Sequence, residues 1–118
     1  MAQVSGIGGI FFRSRNPDAL MEWYRTYLGV PSIEPWPQPA GPAVFAPFKD
    51  DTDYWPEGKQ WMINLKVADL AALMGDLRAA GIDVTQQDDW IGTPYGDFAR
   101  IYDPEGTPIE LWQPPAEG

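Results

Sequence analysis

The chain has no histidine and no cysteine among its 118 residues. Without cysteine there is no disulfide framework and no thiol chemistry, and the redox compartment is left undetermined. Without histidine the chain lacks the commonest zinc ligand and the side chain that most readily moves protons near neutral pH. Basic residues are also scarce: 8 Lys and Arg stand against 17 Asp and Glu, a formal charge of −9. No basic stripe is present to hold nucleic-acid phosphates, and an anionic membrane surface would repel the chain. No segment approaches the roughly 20 apolar residues of a spanning helix. The opening "MAQVSGIGGIFF" lacks the basic-then-apolar order of a signal peptide. The expectation is a cytoplasmic single domain with neither nucleic-acid nor membrane partners.

What the chain has in quantity is aromatic side chains. Six Trp, five Tyr and five Phe make up 14% of the residues. That is more than a core of this size requires, so some are expected to line a pocket or an interface.

Organised segments recur in the same order twice. "GIGGIFFRS" (6–14) reads as a strand, and "NPDALMEWYRTYLG" follows with helix signals at both ends. Asn16 is placed to cap, Pro17 opens the first turn, and Gly29 suits a left-handed stop. Leu20, Trp23, Tyr24, Tyr27 and Leu28 form one helical face. Farther on, "WMINLKV" reads as a strand, Asp69 as a cap, and Leu70, Leu73, Met74 and Leu77 as a second stripe before Gly81. An offset of about 53 lays "ALMEWYR" over "ALMGDLR" and Gly9, Ile10, Phe12 and Arg13 over Met62, Ile63, Leu65 and Lys66. Strands are expected after each helix: 31–35 and 43–48 in the first copy, then 82–87, 95–103 and 107–113 in the second. Asp103-Pro104-Glu105-Gly106 places proline and glycine where a type I turn favours them. Asp50, Asp51 and Asp53 lack the spacing of a calcium loop and read as a solvated connection.

This duplicated βαβββ order, with "PDALMEWYRTYLGV" and the closing "DPEGTPIELW", resembles the vicinal oxygen chelate superfamily. That group includes glyoxalase I, extradiol dioxygenases, methylmalonyl-CoA epimerase and the fosfomycin and bleomycin resistance proteins. The resemblance implies an α+β domain over 1–118, with modules of about 4–58 and about 59–114 forming a cupped mixed sheet. It also implies a metal held by residues on the first strand of each module, often His, and by a Glu on the last strand. Glu110 matches that carboxylate, but Gly9 and Met62 occupy the positions of its co-ligands. Glycine offers no ligand and a thioether is soft, so one carboxylate is left where catalytic zinc needs about three ligands. The expectation is no metal and no cofactor, with metal-dependent glyoxalase or dioxygenase activity disfavoured.

Strand alternation then sets the expected cup. Phe11, Met62, Phe98 and Trp112 would supply apolar walls, and Arg13, Asn64, Arg100 and Glu110 polar points. Ile10 and Phe12 would face the helix. Trp36, Trp55 and Trp61 suit a rim. The alternative for Arg100 and Glu110 is an ion pair across neighbouring strands. Three functions fit: sequestration of a drug or metabolite, in the manner of bleomycin resistance proteins; a metal-independent isomerase or lyase with Glu110 as general base; or a partner-binding module. A small-molecule ligand, cationic or mixed in character, and a homodimer are expected, with the modules pairing within one chain or between two.

Overall fold

The computed structural model describes residues 2–31 and 35–116. Its first helix, α1 (Pro17–Leu28), begins where Asn16 accepts a hydrogen bond from the Ala19 amide at 3.2 Å and ends at Gly29 with φ +70°. Glycine takes that left-handed cap without the clash a Cβ would bring. The second helix, α2 (Leu70–Ala79), repeats the device, Asp69 accepting from the Ala72 amide at 3.1 Å. Both caps and both apolar stripes are those the sequence leads one to expect.

Three strands form the sheet: β1 (Ile63–Lys66), β2 (Asp97–Tyr102) and β3 (Pro108–Gln113), in the order β1-β3-β2. β3 pairs parallel with β1 and antiparallel with β2, so the sheet is mixed. Ala99, Ile101, Ile109 and Leu111 turn to one face and pack on Leu70, Met74 and Leu77 of α2 and Leu20 and Tyr24 of α1. At Gly96 an added Cβ would lie 2.1 Å from the Gln113 carbonyl oxygen, so only glycine lets the start of β2 lie so close to β3.

The turn joining β2 to β3 is the expected one. The Gly106 amide donates to the Asp103 carbonyl at 2.9 Å. Asp103 is buried, and its Oδ1 accepts the amides of Glu105 (2.8 Å) and Thr107 (3.0 Å). Its Oδ2 accepts the Tyr24 hydroxyl at 2.7 Å, which fastens α1 to the turn. Burial and this anionic acceptor together push the Tyr24 phenol up. Glu105 receives the Ser14 hydroxyl at 2.5 Å and the Arg15 amide at 3.0 Å, bonds that hold its carboxyl below the usual range.

The first copy of the repeat departs from expectation. Residues 6–14 and 43–48 are not strands, and 82–87 is reduced to one bridge, Thr85 to Arg100. The expected strand at 31–35 lies mostly outside the described residues. Among the described residues no backbone–backbone hydrogen bond involves 2–13 or 35–48. A ladder needs a neighbour, and the one sheet among the described residues is used by 63–66, 97–102 and 108–113. Ile10 and Phe12, expected against a helix, are exposed, and Phe45 is 86% exposed. The radius of gyration of 15.1 Å exceeds the roughly 13.5 Å of a compact chain this long, as these outlying segments require.

Ile101, fully buried in β2, tests the core. Ile101→Ala is expected to lower unfolding free energy by about 2–5 kcal/mol, read by urea denaturation.

Candidate functional site

The sheet face away from the helices carries the polar chemistry. Alternation places Asn64 and Lys66 of β1, Phe98, Arg100 and Tyr102 of β2, and Glu110 and Trp112 of β3 on this side. Six of the eight expected cup residues are thereby brought together: Asn64, Phe98, Arg100, Glu110, Trp112 and, just before β1, Met62. Phe11 and Arg13 are not. They lie on the unpaired N-terminal segment, and Phe11 is 93% exposed.

Arg100 and Glu110 stand directly opposite each other in the register, yet they form no ion pair within 4.0 Å. Each is engaged elsewhere. Glu110, 8% exposed, accepts the Tyr54 hydroxyl on Oε2 and the Asn64 amide on Oε1 at 2.7 Å. Arg100 directs Nη2 toward Met62 Sδ at 3.4 Å, and its guanidinium carbon lies 4.9 Å from the Tyr54 ring centre and 5.8 Å from that of Trp90. Two aromatic faces stabilise the cation where a carboxylate was expected.

Tyr54 organises the site. It belongs to the acidic connection at 49–59, and its bond to Glu110 draws that loop over the sheet. Burial and the Glu110 acceptor push its phenol up to about 12, against the opposing influence of Arg100. Near neutral pH it is therefore a donor. Phe48 stacks on Tyr54 at 5.9 Å and meets Trp55 at 4.9 Å, while Tyr54 meets Trp90 edge-on at 6.0 Å.

Between this loop and the sheet lies a cavity of about 840 Å³. Tyr54, Trp55, Trp90, Tyr102 and Arg100 wall it, and Asp51, Asp53, Glu57 and Asp89 supply carboxylates. The expected lining thus shifts. Phe98 and Trp112 stack on each other at 6.3 Å farther along the same face, outside the cavity, with Lys66 5.8 Å from the Trp112 ring. Sequence reasoning placed Trp55 only on a rim and passed over Trp90. The signal available was "DDW", an aromatic set in an acidic loop. No group of three or more Asp, Glu, His or Cys side chains is placed to hold a metal among the described residues.

Fold and site together define a small α+β domain with a mixed sheet and an aromatic cavity on its open face. No family model matches the chain. None of the curated proteins matches it either. Among solved structures it is similar to TnmS3, an antibiotic binding protein from Streptomyces sp. CB03234. The TM-score is 0.65 at 22% identity, over 98% of this chain and 100% of that one. At this identity the likeness is one of fold.

The Tyr54 bond gives stability a definite pH dependence. A phenol whose folded value lies near 12, above its ordinary 10, contributes stability that is intact below about pH 10 and lost as pH rises toward 12. Denaturant midpoints measured from pH 8 to 12 are expected to be level at first and then fall. Tyr54→Phe, which leaves a buried carboxylate short of a donor, should lower stability by about 1–3 kcal/mol at pH 7 and make the alkaline fall shallower.

Proposed function

We propose that this chain sequesters a drug or metabolite in the aromatic cavity without chemically altering it or using a metal. The observation that carries this reading is the cavity itself: concave, walled by Tyr54, Trp55 and Trp90, with one guanidinium on the sheet side and carboxylates around it. Aromatic walls with a few placed polar groups suit small-molecule binding. The shared fold with an antibiotic binding protein is in keeping with it. Gly9 and Met62, where the resembling superfamily carries metal ligands, support operation without a metal. As for Glu110 acting as general base, both its oxygens already accept side-chain donors, and no observation specifically favours proton transfer.

The working unit is proposed to be a homodimer. Among the described residues the apolar segments at 2–13 and 35–48 lack backbone partners, and β1 has strand pairing on one edge only. A second copy supplies matching apolar surface and unpaired backbone at once.

Native mass spectrometry of protein isolated from its own source tests these readings together. The expected result is a dimer mass carrying an unaltered small molecule, and a stoichiometric transition metal would overturn the metal-free reading. Phe11→Glu combined with Phe45→Glu should shift the mass to monomer. Trp90→Ala should weaken retention of the ligand roughly tenfold, the loss of about one aromatic contact.

A further inference from the structure

Arg100 poses a problem of hydrogen-bond accounting. It is 5% exposed, stands in the middle of β2 and forms part of the cavity wall. A guanidinium has five N–H donors and remains charged at any pH a protein survives. Its Nε–H is buried and meets no acceptor among the described residues. Nη2 meets only a thioether sulfur, a weak acceptor. The carboxylate opposite is taken: Glu110 spends one oxygen on Tyr54 and the other on Asn64. Ring faces steady the charge but give the Nε–H no acceptor. Buried donors without acceptors are rare in folded proteins, and those that occur call for a specific reason.

We propose that Arg100 is the recognition point for an acceptor oxygen on an aromatic ligand, a carbonyl or carboxylate that the cavity receives against the guanidinium. The inference rests on the small-molecule reading and gives the ligand a chemistry. The inner end must bring an oxygen, because fixed donors are what the protein presents there. The middle suits a flat ring, because Trp55, Trp90 and Tyr102 line the cavity beside the guanidinium. The outer end suits a basic group, because Asp51, Asp53 and Asp89 lie around the cavity and no other Lys or Arg lines it among the described residues. A site built around buried donors rejects an analogue lacking the acceptor far more strongly than it resolves small differences in shape.

Two probes of nearly equal shape test this. One is 1-[6-(aminomethyl)naphthalen-2-yl]ethanone, and the other is its 2-ethyl counterpart, in which the carbonyl becomes methylene. Titrated into the full chain and followed by tryptophan fluorescence, the ketone is expected to bind at least tenfold tighter. The Arg Nε–H resonance lost in Arg100→Lys should move on adding ketone to the unaltered protein, but not on adding the ethyl compound. In Arg100→Met the advantage of the ketone should vanish. Equal affinities for the two probes in the unaltered chain would overturn the inference while leaving the small-molecule reading standing, and that comparison needs no variant to fold. An advantage retained in Arg100→Met would overturn it as well. Binding of neither probe also counts against it, whereas the small-molecule reading is decided by the mass carried by the native protein.

Discussion

Everything described here depends on β3 being paired on both sides. A strand flanked by one parallel and one antiparallel neighbour must be reached by two kinds of connection. The antiparallel side takes a tight turn, supplied by Asp103 to Gly106. The parallel side requires a crossover, and α2 lies on that route, covering the apolar face with Leu70, Met74 and Leu77. Once α2 holds that face, Glu110 must occupy the other. The buried carboxylate is thus a consequence of the topology, and the loop that satisfies it follows.

That second step turns a sheet into a site. Glu110 cannot be left without donors in a buried place; β1 offers Asn64, and Arg100 opposite on β2 turns to the rings instead. Tyr54, more than fifty residues away in sequence, completes the requirement and brings Phe48, Trp55 and the carboxylates of Asp51, Asp53 and Glu57 with it. The cavity is the space left between a loop anchored at one hydroxyl and a sheet that cannot rise to meet it. Arg100, deprived of the carboxylate opposite, is held by rings.

Much of this was legible in the residues. Asn16, Gly29 and Asp69 declare the helix ends because capping is a local chemical act, complete within four residues. "DPEG" declares the hairpin for the same reason, and the alternation of β2 and β3 assigns faces correctly. Legibility fails where the partner is remote. Register alone pairs Arg100 with Glu110, and only the loop tyrosine undoes the pair. Phe11 and Arg13 look like cup residues because the repeat aligns them with Asn64 and Lys66. Yet a repeat in sequence does not supply the hydrogen-bonding neighbour that a strand needs.

The unpaired segments at 2–13 and 35–48 have a consequence in time as well as in space. Amides in the sheet exchange with solvent only when the core opens, whereas those of the two apolar segments have no backbone acceptor among the described residues of one copy to protect them. A protease therefore meets Phe11 and Phe45 long before it meets an unfolded molecule. Whatever shields those segments therefore protects the chain in a way that the free energy of its core does not.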